Sequence, residues 1–198
     1  MEFDFFGIFT LVTGVLFLIL EIRQNNWMWL FQLLSSAAAT VSFLTQDLYA
    51  SAGLNIYYVA MAFVGFLQWR KDGKLGSDGR EGETGGEAIH LRHVSVRTSA
   101  VSLLVFVAGT AALFFLLRFL GDPKSVLDAG ATVLSGVATW WLAKSYPQQW
   151  ILWVVADAVS AWLCLEQGLE EMAVLYLIYA VSAVYGYIHW VKKGTYVD

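Results

Sequence analysis

The segment QQWILWVVADAVSAW sets Trp150, Trp153 and Asp157 at i, i+3 and i+7. On a helix these three side chains share one narrow face. Two indoles in line with a carboxylate suit a flat, cationic aromatic ligand. Stacking and cation–π attraction contribute about 0.5–2 kcal/mol per contact, and the carboxylate supplies the countercharge. The plainer alternatives are an interfacial belt for the tryptophans and a hydrogen bond between helices for the aspartate. The belt suits Trp150, near the helix end, together with Trp27, Trp29, Trp69 and Trp190. It suits Trp153 less and Asp157 not at all. Asp157 lies about 12 Å along the helix from Gln149 at 1.5 Å per residue, near the middle of a bilayer. An ionisable group there costs about 2.5–3.5 kcal/mol and faces a cavity or a partner.

The rest of the sequence supplies the elements that must hold this face. Of 198 residues, 58% are hydrophobic, 16% aromatic and only 14% charged, and the mean hydropathy is +0.60. Soluble domains carry about 25% charged residues. A soluble enzyme, a disordered chain and a basic nucleic-acid binder are excluded; the partner of this surface is the lipid bilayer. Apolar runs fall at Phe5–Ile22, Trp27–Leu44, Ala50–Trp69, Thr98–Leu120, Val126–Ala143, Gln149–Leu165 and Met172–Val191. At about 20 residues per span, these predict seven transmembrane helices. The runs are continuous rather than alternating, so strands are not expected. Met1–Asp4 is acidic and lacks the basic start of a signal peptide.

Residues 71–97 differ in kind, with Gly73, Gly76, Gly79, Gly82, Gly85 and Gly86 among charges of both signs. They read as a flexible aqueous linker, not as a phosphate-binding loop, which needs a strand and a helix around its glycines. Ten of the twelve Lys and Arg residues fall on one side: Arg23, Arg70, Lys71, Lys74, Arg80, Arg92, Arg97, Lys144, Lys192 and Lys193. Only Arg118 and Lys124 fall on the other. This bias puts the linker and the C-terminus in the cytoplasm and the N-terminus outside. Cys164, the single cysteine, reads as a buried inert thiol. His90 and His93 lack neighbouring ligands, so neither a metal site nor a cofactor is expected.

The chain also repeats itself. Gln46–Gly73 aligns without gaps to Gln167–Gly194, with ten identities in 28 positions at an offset of 121. Among the pairs are Tyr58/Tyr179, Gly65/Gly186 and Trp69/Trp190, and the same offset carries Trp29 onto Trp150. The expected organisation is a three-helix repeat over 1–70, the linker 71–97, a linker helix over 98–120 and a second repeat over 126–192. Both copies have the same orientation, as the odd helix between them requires. Parallel repeats place a substrate site near the midplane between the copies. In copy one the matching face carries Trp29, Gln32 and Ser36, polar but uncharged, so the site is expected to be asymmetric. Asn55, Tyr58, Tyr176 and Tyr179 are further candidates, able to reach sugar hydroxyls or amides. Gly65 and Gly186 read as close helix contacts, and Asp128 as a helix N-terminal acid or a residue at the mouth of the site.

These residues resemble the PnuC-type vitamin transporters, relatives of the SWEET sugar transporters. The resemblance rests on the helix pattern WxxWxxxN/D, present as Trp150-Ile-Leu-Trp153-Val-Val-Ala-Asp157, and on the repeat ends GFLQW and GYIHW. It implies an all-α fold in a 3+1+3 arrangement, often a homotrimer, in a bacterial inner membrane. It also implies facilitated diffusion of an unphosphorylated vitamin that a cytoplasmic kinase then traps, with Trp150, Trp153 and Asp157 lining the site. Asp157 stands where several nicotinamide riboside carriers have Asn, and Asn55 where Gln is usual. An aspartate favours a cation, which nicotinamide riboside and thiamine satisfy and riboflavin does not. Nicotinamide riboside is the first expected substrate and thiamine the second, with a proton-coupled carrier as the rival.

Overall fold

The computed structural model describes residues 16–45, 49–77, 89–119 and 126–197. Among the described residues, seven helices succeed one another. The first, α1, is described over residues 16–22. It is followed by α2 (Trp27–Thr45), α3 (Tyr49–Ser77), α4 (Val96–Phe119), α5 (Val126–Ala143), α6 (Gln149–Glu166) and α7 (Glu170–Lys193). Among the described residues, five helices are long and apolar enough to cross a membrane, within α3 to α7, while the apolar part of α2, Trp27–Val41, is shorter. The expected run Phe5–Ile22 begins outside the described residues.

Local chemistry explains the boundaries. Asp128 occupies the first turn of α5 and Lys192 and Lys193 the last turn of α7, each opposite in sign to the helix dipole it meets. The α6–α7 turn closes at Gly168, whose φ of +71° is a left-handed conformation. The α1–α2 and α5–α6 loops each turn on a non-glycine residue with positive φ, Gln24 at 52° and Ser145 at 60°. These two residues are 121 positions apart, the same offset as the sequence repeat.

The core gathers at the end of the molecule that carries those two loops. Trp29, Trp69, Trp190 and Trp150 are all buried there. They form an edge-to-face series with centroid spacings of 5.0, 6.2 and 5.5 Å. The interfacial-belt reading is therefore wrong for these four and holds in kind only for Trp27, which is 64% exposed. Their sequence partners show why. A Cβ on Gly65 would fall into the Trp29 indole, and one on Gly186 would lie 2.8 Å from the Trp150 ring. The glycines leave flat recesses that draw the indoles inward. The inner pair of the series is then tied across the two halves of the chain. Trp69 Nε1 donates to the Leu142 carbonyl at 3.1 Å, and Trp190 Nε1 donates to the Ile22 carbonyl at 2.9 Å.

The linker expectation needs correction at both ends. Helix α3 continues to Ser77, and α4 begins at Val96, two residues earlier than expected. Between them, Ile89 and Leu91 are fully buried. His90–Leu91 forms strand β1, paired in parallel with β2 (Thr195–Tyr196), where no strand was expected. Polar groups hold this segment between the two loops. Gln24 exchanges side-chain hydrogen bonds with the His90 backbone at 2.9 and 2.6 Å, and Arg92 N donates to the Ser145 carbonyl at 3.1 Å. The Arg92 guanidinium meets buried Asp72 at 2.7 Å, and Ser145 Oγ and Gln68 Nε2 each donate to the same carboxylate at 2.8 Å. His93 stacks on Tyr196 at 3.9 Å. Glycines 79, 82, 85 and 86 lie outside the described residues.

Helix α4 packs chiefly on α5, where Trp141 Nε1 donates to Ser102 Oγ at 2.9 Å. Its other faces are largely exposed, as a lipid-facing helix requires. Cys164 is a free thiol, half-buried rather than buried.

Candidate functional site

Helix α6 delivers the face expected of it. Trp150, Trp153 and Asp157 line one cavity of about 240 Å³ together with Tyr179 and Ala183 of α7 and Phe17, Leu18 and Glu21 of α1. The α1 residues belong to the first half of the chain and the rest to the second, so the cavity lies between the halves. Asp157 is 7% exposed and Glu21 5%. No lysine or arginine is among the described residues that line the cavity. Its walls are otherwise apolar, with two carboxylates, two indoles and the Tyr179 phenol as the polar features of the described lining.

The indole N–H groups are unspent. Trp150 Nε1 and Trp153 Nε1 are buried without a hydrogen-bond partner, as is Glu21 Oε1. Unsatisfied buried groups of this kind cost about 1–3 kcal/mol each. Several around one cavity mark a surface prepared for a ligand with complementary donors and acceptors. Because Trp150 and Trp153 are anchored on a rigid helix, and Trp150 is held by Gly186 and Trp190, the wall is preorganised.

The other expected residues fall at different distances from this centre. Tyr176 stands edge-to-face with Tyr179 at 6.4 Å, and Asp157 lies within electrostatic reach of both tyrosines. Tyr58 of α3 approaches Tyr176 across the two halves, while its neighbour Tyr57 donates its hydroxyl to the Gly136 carbonyl at 2.7 Å. Asn55 is half-buried on α3. Gln32 turns along its own helix and donates to Ser36 Oγ at 3.1 Å. Those two occupy the repeat positions of Trp153 and Asp157. Trp29 lies under Trp69 in the aromatic series rather than among the residues lining the cavity.

Glu21 is the residue that the sequence reading passed over. The signal was an acid inside the apolar run Phe5–Ile22. It stands one residue from the end of that run, where an acid carries no distinguishing mark in sequence.

The family model described as nicotinamide mononucleotide transporter matches residues 4–192. The chain belongs to that family. It is a transporter family, so the chain is a multi-pass membrane carrier and not an enzyme. Family relatives include the nicotinamide riboside transporter PnuC of Neisseria mucosa, 32% identical over 91% of this chain and 70% of the relative. PnuC of Haemophilus influenzae is 24% identical over 68% of this chain and 56% of its own length. The riboflavin/roseoflavin transporter RibM of Streptomyces davaonensis is 25% identical over 90% and 81%. Among solved structures, the crystal structure of the vitamin B3 transporter PnuC superposes with a TM-score of 0.64 at 30% identity, covering 91% of this chain and 78% of that one.

Proposed function

We propose that this transporter carries an unphosphorylated cationic vitamin, nicotinamide riboside first, by facilitated diffusion, and that cytoplasmic phosphorylation traps it. The observation that carries this reading is the cavity itself: Trp150 and Trp153 beside Asp157, with no basic residue among its described lining. A pyridinium ring stacks on the indoles while Asp157 balances its charge. Tyr176 and Tyr179, with Asn55 and Tyr58 from the first half, offer hydroxyl and amide groups toward the sugar, and Trp29 and Gln32 complete the matching face of copy one. The names of the PnuC relatives support the riboside. Thiamine, also a cationic aromatic, is the second substrate on the same chemistry.

The arrangement we infer is 3+1+3: α1–α3 and α5–α7 as parallel repeats, joined by α4, with the N-terminus outside and the C-terminus in the cytoplasm of a bacterial inner membrane. The reciprocal bonds from Trp69 and Trp190 and the matched turns at Gln24 and Ser145 support the repeats, and the ten-to-two distribution of Lys and Arg supports the orientation. On this reading the end closed by the four tryptophans is cytoplasmic. Release inward then requires the two repeats to rock apart there. The resemblance to PnuC adds a homotrimer.

Calorimetric titration of the purified protein with nicotinamide riboside and with thiamine tests the substrate. Binding of one vitamin, abolished in Trp153→Ala, is expected; binding of neither overturns the substrate class. Proton coupling is the second reading, favoured by two carboxylates lining one cavity. Counterflow in liposomes that ignores an imposed proton gradient rejects it.

A further inference from the structure

Another cavity, of about 580 Å³, lies between α1 and α7 at the closed end, apart from the carrier site. Arg23, just after α1, and Lys193, the last residue of α7, line it together with His189, one turn before Lys193. Arg23 and Lys193 both lie within electrostatic reach of the imidazole. Among the described residues, no carboxylate pairs with any of the three. Ile19, Ile22 and Tyr185 continue the wall. At 1.5 Å per residue, Tyr185 is about 12 Å further into the bilayer along α7 than Lys193. One end of the cavity is therefore basic and level with the membrane surface. The other is apolar and reaches the depth of lipid tails.

The sequence repeat shows which charge belongs there. At the offset of 121, Gln68 and Asp72 of α3 correspond to His189 and Lys193, and Lys144 after α5 corresponds to Arg23. In the first of these two places, the helix offers an acid and the chain itself answers with a cation. Asp72 meets the Arg92 guanidinium at 2.7 Å and accepts from Gln68 and Ser145. In the second, Lys193 stands in place of the acid, so the complementary charge is reversed.

We propose that this cavity is a binding site for an anionic phospholipid, with its phosphate bridging Arg23 and Lys193 beside His189 and an acyl chain along Ile19 and Tyr185. Basic pockets between transmembrane helices suit such headgroups. A free phosphate ester shares the chemistry of the head but leaves the apolar end uncovered. Arg23 belongs to the first half of the chain and Lys193 to the second, so one headgroup spans both at the closed end. The site stands whichever vitamin is carried.

Thermal unfolding of the purified full chain in detergent tests it, with phosphatidylglycerol, phosphatidylcholine or glycerol phosphate added in turn. An apparent dissociation constant follows from the shift in midpoint with concentration. Phosphatidylglycerol is expected to raise the midpoint. Phosphatidylcholine with the same chains, and glycerol phosphate without chains, are expected to leave it little changed. Arg23→Gln and Lys193→Gln are each expected to weaken phosphatidylglycerol binding about fivefold. Lys192→Gln, outside the cavity lining, is expected to weaken it less. Both Arg23 and Lys193 are exposed, so neither replacement disturbs a buried contact. Equal stabilisation by phosphatidylcholine overturns the headgroup site, and equal stabilisation by glycerol phosphate replaces the lipid with a soluble anion. A loss in Lys192→Gln as large as that in Lys193→Gln reduces the effect to general attraction by a basic surface and overturns the site as well. Each of these results leaves the vitamin titration to be judged on its own.

Discussion

Asp157 and Trp153 divide the work at the proposed site between charge and surface, and the division is measurable. Replacing Asp157 with Asn removes the countercharge and keeps the shape. A cationic ligand is expected to bind about tenfold or more weakly, in line with 1.5–3 kcal/mol for a charged contact, and a neutral analogue of the same ring is expected to be little affected. Equal losses for both in titration reject the countercharge role. Gly186 and Gly65 make a different demand. Each sits against an indole that a Cβ would strike, so Gly65→Ala and Gly186→Ala overpack the core at a cost of about 1–3 kcal/mol. Thermal unfolding in detergent is expected to show a lowered midpoint for both variants, and an unshifted midpoint removes the recess as the reason for these glycines. The α6 face was legible in sequence because three residues of one helix need only the helical period to be placed. Glu21 was not, because its role depends on the approach of α1 to α6, which no local period encodes.

At the scale of elements, residues 89–92 and 195–197 form a clasp that holds the two loops of the closed end. Its polar centre is Asp72, buried and shared by Arg92, Ser145 and Gln68. Asp72→Ala strands those donors, and because breaking a buried pair costs about 3–5 kcal/mol, a large loss of thermal stability is expected. Arg92→Ala, whose side chain is partly in water, is expected to lose less. A smaller loss from Asp72→Ala than from Arg92→Ala contradicts this ordering. The clasp was invisible in sequence for a physical reason. Two-residue strands have no alternation to read, and Ile89 and Leu91 sit among glycines and charges that by composition belong to solvent. The tryptophans failed as a belt for a related reason: residue type and position near a helix end do not say whether an indole turns to lipid or to a neighbouring glycine.

For the whole molecule, each apolar run coincides with a helix among the described residues, and five of these helices are long and apolar enough to span, because continuous hydrophobicity over a span's length has one solution in a bilayer. The repeat offset carried further, anticipating equivalences that recur as matched turns and reciprocal indole bonds. If the proposed orientation holds, a cysteine at Lys193 in a Cys164→Ala background is labelled by an impermeant thiol reagent only in inverted vesicles. Labelling in right-side-out cells reverses the topology.

Four indoles lie in edge-to-face contact through the closed end, with centroids no more than 6.2 Å from the next. Chromophores this close share their excited states. The protein therefore carries its own optical gauge: exciton-coupled circular dichroism in the indole bands, strong while the series is intact. The central contact, Trp69 to Trp190, joins the two halves, so parting them splits one coupled set of four into two pairs. The parting of the halves is thus readable in that spectrum without a dye or an engineered cysteine.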